Sequence, residues 1–463
     1  MKMRTFAVFV LFLAAGCSLA PDYQRPELPI GDKYEGSIPD GQAIANTAWW
    51  DLFKDPALHV LINAALKENR SLQVMAARVA EARALVGYVR ADQYPFVDIS
   101  GLAGRNDAGG ALQGLGPVND FGVFADLSFE VDLWGRLWNA TEAQQRELLS
   151  AQHTQHSLLI SLVAQTAQLY FNLIDLDMRA AIAERTIGNR RNATRLIRAR
   201  FSQGIIPELD VNQAEIEEGD AMVSLAAIER ERRLVLNALQ TICGRSLGPV
   251  DRRATLADSF SVFELPSGVP AGLLERRPDV MAAEEAIRAE YARIGVAEAQ
   301  RLPGLSILGS LGLRSQKSQD LFDVDSRSWS IGGQLLSPLI DWGKNKARVE
   351  AQKARAQQAL KSYEDTVLRA VEEVEDAVAS IETYRTEHEA RKMQVKAASN
   401  AARLSRARYD DGVTPYLEVL DIERSLFDAE LGASLTYQRY LSSLAQLYKA
   451  LGGGWQQESV QAG

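Results

Sequence analysis

Cysteine is nearly missing from this chain: 463 residues carry two, Cys17 and Cys243. A disulfide-stapled scaffold is excluded, because Cys17 belongs to an N-terminal motif and leaves Cys243 without a mate. Cys243 ends a helical pattern in Leu239-Gln-Thr-Ile-Cys, where a small buried apolar residue fits. Histidine is also scarce, at four. His153 and His156 share a helix face at i, i+3, but no third ligand lies near them in sequence, so they read as solvated helix positions and not as metal ligands. No nucleophile elbow, phosphate-binding loop or zinc-protease motif occurs, and the chain reads as a non-enzyme. Glycine and proline are not enriched, which excludes a fibrous or disordered chain. Positive charge is in deficit: 51 Lys and Arg against 60 Asp and Glu, a net −9, which argues against a nucleic-acid partner. Beyond the N-terminus no run of about 18 apolar residues appears, so no membrane-spanning helix is expected.

What is present begins with a secretory pattern. Lys2 and Arg4 precede the apolar stretch Phe6 to Ala15, too short to cross a bilayer. Leu13-Ala14-Ala15-Gly16-Cys17 then resembles a lipobox, which implies cleavage of residues 1–16 and acylation (palmitate) of Cys17. Ser18, not Asp, follows it, which in the enterobacterial sorting rule implies the outer membrane. Residues 17–47 hold Pro21, Pro26, Pro29 and Pro39 among polar residues and read as an extended tether.

The most informative feature is an internal repeat at an offset of 208. Gly87 falls on Gly295, Pro95 on Pro303, Ile99 on Ile307 and Gly101 on Gly309. Trp134-Gly135 falls on Trp342-Gly343, Gly204 on Gly412, and Pro207 on Pro415. The offset does not drift, so the two halves have equal loop lengths and are equivalent units. Each reads as a helix (Leu58 to Arg90; Asp279 to Gln300), two strands, a very long helix, a tight turn and a return helix.

Strands follow from period-2 alternation. Phe121, Val123, Ala125, Leu127, Phe129 and Val131 alternate with Gly122, Phe124, Asp126, Ser128, Glu130 and Asp132. Leu305, Ile307, Gly309, Leu311 and Leu313 do so in the second half. About ten alternating residues suit a tilted transmembrane strand with a wet, acidic inner face; a soluble half-buried hairpin would alternate too. The long helices are read from Leu137 to Gln203 and from Lys344 to Asp411, each on the order of 100 Å at 1.5 Å per residue. Leu159, Leu162, Thr166, Leu169, Leu173 and Leu176, and Val367, Val371, Val374, Val378 and Ile381, trace heptad seams that need packed neighbours. Gly204 and Gly412 stop these helices, Pro207 and Pro415 open the next, and Thr414 is placed as an N-cap.

Four strands per chain are too few to seal a barrel, since single-chain bacterial barrels have at least eight. Unpaired edges in lipid cost several kcal/mol per group, so copies must share one wall. Two copies would already reach eight strands, and the residues alone leave the number open.

Together these elements resemble the outer membrane factor family, the OprM/NodT-like and TolC-like efflux ducts, over nearly the whole chain. Gly16-Cys-Ser-Leu-Ala-Pro-Asp-Tyr-Gln-Arg-Pro is similar to the lipidated start of the OprM-like branch. Trp49-Trp-Asp-Leu-Phe-Lys-Asp-Pro-Ala-Leu, Arg276-Arg-Pro-Asp-Val, Ile294-Gly-Val-Ala-Glu-Ala and Leu447-Tyr-Lys-Ala-Leu-Gly-Gly-Gly-Trp455 match further segments. The resemblance implies an α+β membrane protein: a trimeric 12-stranded β-barrel, four strands per chain, continued by a 12-helix α-barrel in the periplasm. Its implied function is passive conduction of small molecules, as the outer-membrane channel of a tripartite efflux system with a periplasmic adaptor and an inner-membrane pump of the resistance-nodulation-division class. No cofactor is implied beyond the lipid on Cys17. The seven Met are scattered, so nothing favours copper as cargo.

The expected organisation is signal 1–16, lipidated tether 17–47, first-repeat helices 48–94, first β-hairpin 95–134, first helical hairpin 135–243 and equatorial segment 244–277. The second repeat then supplies a helix 278–302, a β-hairpin 303–341 and a helical hairpin 342–451, before a tail at 452–463. The resemblance places a periplasmic gate in Tyr416-Leu-Glu-Val-Leu-Asp421. Leu417 falls on an apolar constriction and Asp421 on an acidic ring; Glu418 takes the place of a second acid, and Arg424 is a partner one turn on. Ordinary helix packing and a solvated face are the plainer readings of the same residues. The tips that meet the adaptor are placed at Phe201, Gly204, Pro207, Tyr409, Gly412 and Pro415. Rival readings are a lipid-anchored periplasmic coiled-coil adaptor, a type I secretion duct and a lipoprotein enzyme.

Overall fold

The computed structural model describes residues 18–26, 53, 55–106, 117–246 and 276–453. The signal, Cys17, most of the tether and of the equatorial segment, and the tail beyond residue 453 lie outside the described residues. In chain order the elements are α1 (Pro56–Glu68), α2 (Arg70–Ala91), β1 (Phe96–Asn106), β2 (Val118–Val131), α3 (Arg136–Ser202), α4 (Glu208–Ile242), α5 (Pro278–Ala299), β3 (Gly304–Ser315), β4 (Arg327–Leu336), α6 (Lys344–Asp410) and α7 (Tyr416–Ala450).

The repeat holds to the residue. Helices α2, α3 and α4 recur 208 positions later as α5, α6 and α7 with the same first and last positions. Glycines at positive φ recur with them: Gly135 and Gly343, Gly204 and Gly412, Gly244 and Gly452. The last two pairs each follow a helix end. The N–H of Ile205 donates to the Arg200 carbonyl at 3.0 Å, and that of Val413 to Arg408 at 2.8 Å. Arg245 does the same to Gln240, and Gly453 to Tyr448. These six-residue closures need a left-handed residue after the helix, and glycine takes that conformation without a Cβ penalty.

Two expectations are corrected. The single first helix from Leu58 to Arg90 is two helices, because Asn69 is extended (φ −61°, ψ 125°). The Asn69 side chain accepts from the Leu72 N–H at 3.0 Å and donates to the Ile242 carbonyl at 2.8 Å, so it caps α2 and ties it to the end of α4. Thr414 is not the cap of the last helix. Pro415 occupies that position without a side-chain bond, and the Thr414 hydroxyl is buried with no hydrogen-bond partner among the described residues. The start of α1 follows the expected Asp-Pro logic: the Asp55 carboxylate accepts from the Ala57 N–H at 2.9 Å, and Pro56 opens the helix.

Contacts sort the chain into two bodies. One comprises residues 1–28, 77–153 and 281–365 and holds all four strands. They form one antiparallel sheet in the order β1-β2-β3-β4, with the two hairpins joined through β2 and β3. Below the sheet the Trp134 indole donates to the Pro303 carbonyl at 2.8 Å, and Ser150 donates to the Ala282 carbonyl at 2.8 Å. The other body comprises residues 29–76, 154–280 and 366–463 and holds the main core. Phe53, Leu58, Ile62, Tyr170, Phe171, Val374, Ile381, Leu441 and Tyr448 pack there, and each fully buried large side chain contributes roughly 1.5–3 kcal/mol. Tyr170 also donates to Asp55 at 2.5 Å. One 18-residue window of α3 has a mean hydropathy of 1.4, above what the sequence reading allowed, and 56% of it is buried. The buried apolar residues of α3, among them Ile160, Leu162, Val163, Tyr170, Phe171, Leu173 and Leu176, are core and seam positions.

Candidate functional site

The sheet has one apolar and one polar face, set by register. Val97 and Ile99 of β1 align across the strands with Leu127 and Ala125, then with Gly309 and Leu311, then with Ile331 and Trp329. Ile99, Leu311, Trp329 and Ile331 are each more than 60% exposed, so this apolar face has no cover among the described residues. The opposite face carries Asp98, Ser100, Asp126, Ser128, Ser310, Ser330 and Gln334. Ser100 donates to Asp126 at 2.6 Å, and Arg314 spans to Asp120 at 2.9 and 2.7 Å. Both outer strands, β1 and β4, have an unpaired edge among the described residues. Aromatic side chains collect where the sheet meets the helices: Tyr94, Phe96, Trp138 and Trp342 are all exposed there, as in the interfacial belts of membrane proteins.

The second body brings the two helical tips together. Arg200, one residue before Phe201, lies over the Tyr409 ring at 5.2 Å, and Tyr409 packs on Tyr416 with ring centres 5.2 Å apart. Ile197, Val211 and Ala214 of the first hairpin form one cluster with Tyr416, Val419 and Leu420 of the second. Burial pushes the Tyr416 hydroxyl up to about 12, helped by the charge of Glu423. Phe201 remains 42% exposed, with Ile205, Leu209 and Val413 also exposed near the two turns. Gly204 and Gly412 sit at φ 70° and 74°, and Pro207 and Pro415 cap the return helices.

At the start of α7, helical spacing puts Leu417, Asp421 and Arg424 on one stripe, away from buried Tyr416, Val419 and Leu420. Leu417 is 48% exposed and Asp421 is exposed. Glu418 lies 3.6 Å from Arg408. Arg424 does lie 3.6 Å from Asp421, but its closer partner is Glu217 on α4, at 2.6 and 3.0 Å. Glu217 is buried and also meets the buried Arg190 at 3.0 Å. Arg190 in turn covers the Phe427 ring at 5.4 Å. Glu423 stands beside them, 3.4 Å from Arg406; burial raises its carboxyl above the usual range, and Arg406 and Arg190 only partly offset this. This cross-hairpin charge cluster was missed by sequence reasoning. Glu217 and Arg190 look like ordinary helix-surface residues until the two hairpins are packed.

Among the described residues, no group of three or more His, Cys, Asp or Glu is placed to hold a metal ion. His153 is half-buried, and burial lowers its imidazole. Cys243 is fully buried, its thiol 3.7 Å from the Leu61 carbonyl.

A family model described as "outer membrane efflux protein" matches residues 61–245 and again 269–453, two matches displaced by the repeat offset at both ends. The chain belongs to the outer membrane efflux protein family. The cation efflux system protein CusC of Escherichia coli O6:H1 is 32% identical over 462 residues, covering 98% of this chain and 99% of CusC. The solvent efflux pump outer membrane protein SrpC of Pseudomonas putida is 32% identical over 468 residues, covering 98% and 99%. Among solved structures, the open state of the MtrE outer membrane channel of Neisseria gonorrhoeae superposes with a TM-score of 0.87 at 29% identity, covering 95% of this chain and 98% of MtrE. As a member of this family, the protein is an outer-membrane efflux channel, with a four-stranded sheet and two helical hairpins per chain.

Proposed function

We propose that three copies of this chain close one twelve-stranded barrel in the outer membrane, continued on the periplasmic side by a tunnel of twelve long helices. Through this duct small molecules pass without energy input from the channel itself. A periplasmic adaptor and an inner-membrane pump of the resistance-nodulation-division class deliver them. The observation that carries this reading is the open four-stranded sheet with an uncovered apolar face. In hydrocarbon its edges would each leave a row of polar groups unsatisfied, at several kcal/mol per group. Copies of the same edges are the available remedy, and the family resemblance supports three as their number. The cargo is not assigned, since CusC and SrpC, named for cations and solvents, are equally similar.

Within this duct, Leu417 and Asp421 are proposed to converge from three copies on one axis, the first as a ring that resists wetting, the second as a ring that favours cations. Glu418 and Arg424 flank them. The exposed surface around Phe201, Gly204, Pro207, Tyr409, Gly412 and Pro415 is proposed to meet the adaptor. Cys17, outside the described residues, is proposed to carry the lipid. The test of the duct is purification and reconstitution. A detergent-extracted, heat-dissociable trimer that conducts ions in planar bilayers is the expected result. A single copy stable in buffer without detergent, giving no conductance, would end this reading.

A further inference from the structure

Residues 18–25 do not behave as a free tether. Ser18 donates to Asn139 at 2.9 Å, and Tyr23 meets the Tyr291 ring edge-on at 5.7 Å while the Arg288 guanidinium lies over it at 5.0 Å. Arg25 donates to Glu284 at 2.6 Å. Ala20 lies so close to Gly295 that a Cβ built there would stand 2.9 Å from the Ala20 Cα and Cβ and 2.5 Å from the Asn139 amide nitrogen. We propose that this segment is a register clamp: it holds the acylated amino terminus at the foot of the barrel, and Glu284, Arg288, Tyr291 and Gly295 are its seat. The proposal rests on reading Cys17 as the lipid attachment point.

The four seat residues are spaced i, i+4, i+7, i+11, so they form one stripe along α5. From Gly295 back to Glu284 the helix rises about 16 Å. From Ala20 to Arg25 an extended chain covers about 16 Å. The strap and its seat therefore match in length, contact by contact.

The internal repeat supplies the control. The first-repeat positions equivalent to the seat are Ala76, Ala80, Arg83 and Gly87 on α2, all exposed, and a Cβ at Gly87 would meet nothing within 4 Å. The position equivalent to Asn139 is Ala347. The repeated fold thus does not require this stripe. It exists on the one helix that the strap covers.

The clamp also sets depth. Asn139 stands one turn into α3, beside Trp138 and just beyond Trp134, at the end of the sheet where the exposed aromatic side chains collect. Such a belt marks the membrane–water interface. Ser18 is pinned there, so the described start of the strap sits at the depth of that aromatic belt.

The test uses the full-length protein purified in detergent, with chymotrypsin cleavage after Tyr23 followed by mass spectrometry of the N-terminal peptide. Gly295→Val, whose side chain would meet both Ala20 of the strap and the Asn139 side chain that holds Ser18, should raise the cleavage rate at least about tenfold, because cleavage tracks the released population. Arg25→Ala, which leaves the helix untouched, should raise it in the same direction. If Gly295→Val and Arg25→Ala are both cleaved as slowly as the unaltered protein, the clamp is wrong. The same peptide mass decides the lipid reading separately: absence of acyl mass on Cys17 removes the anchor, while the cleavage ratio still reports the strap.

Discussion

At the scale of single residues, the side chains that matter most are charged groups held away from water by their partners. Glu284 is one. Burial pushes its carboxyl up from the ordinary 4.5, but hydrogen bonds and charge from Arg25 and Arg288 outweigh this and hold it below that value. Glu285, on the same helix, shares Arg288 at 3.4 Å and pairs with Arg146 at 3.1 Å, and Tyr23 faces Glu284 from the strap. A depressed carboxylate stabilises the contact above its unfolded pKa and loses that contribution as pH falls through its folded pKa. Strap docking should therefore be constant at neutral pH and weaken once pH drops below 4.5. Hydrogen exchange of residues 18–25, corrected for the intrinsic rate, measures this. Glu284→Gln should start looser at neutral pH and lack the acid transition; an acid transition undiminished in that variant would assign it to another group. Glu284 was invisible as a partner in the sequence. Its mate is 259 positions away, and nothing in a helix-forming stretch such as Ala282-Ala-Glu-Glu-Ala announces a strap.

At the scale of elements, the long helices and their turns were the most legible part. The sequence reading ended them one residue from the observed positions, because glycine and proline punctuate both tips and the heptad seams leave one way to pack. Most seam residues are buried as expected, with Leu162, Thr166, Leu173 and Leu176, and Val367, Val374, Val378 and Ile381, all turned inward, while Leu159, Leu169 and Val371 are half-buried. Gly204 and Gly412 test the turns. A Cβ would meet nothing within 4 Å at either position, so the whole cost of alanine is the left-handed backbone, at φ 70° and 74°. Gly204→Ala and Gly412→Ala should each lower stability by roughly 1–2 kcal/mol, read as a shift in the denaturant midpoint of the purified protein. A shift of zero would mean that the turn relaxes to another conformation. The break at Asn69 was missed for the opposite reason. Lys67-Glu-Asn-Arg70 suits a helix interior, and the residue that reverses Asn69 is Ile242, whose carbonyl takes the side-chain amide.

At the scale of the whole molecule, the proposed gate is a property of an assembly. Leu417, 48% exposed in one chain, makes sense as a closure only if copies bring it to a common axis. The Leu417→Ala, Asp421→Ala double variant should then raise single-channel conductance in planar bilayers and lower the cation preference. Currents and selectivity equal to those of the unaltered channel would return both residues to ordinary surface. The cross-hairpin contact between Arg424 and Glu217 gives a physical reason for the tips to move as one unit. A buried Glu217 shared by Arg190 and Arg424 loses the second of these partners if the two hairpins separate, and keeps only Arg190 from its own hairpin.

The sequence by itself determined the repeat, the strand faces, the helix lengths and the positions of the turns. Each of these depends on local periodicity or on a residue's own backbone limits, and a fixed offset of 208 doubled every signal. Tertiary structure alone decided which charges meet. Glu217 with Arg424 and Arg25 with Glu284 are pairs separated by 207 and 259 residues, brought within hydrogen-bonding distance by packing that has no local signature. It also decided that Gly295 and Gly87, identical in the repeat, have different work. One has a chain laid against it and the other faces open space, a distinction that no property of glycine itself contains.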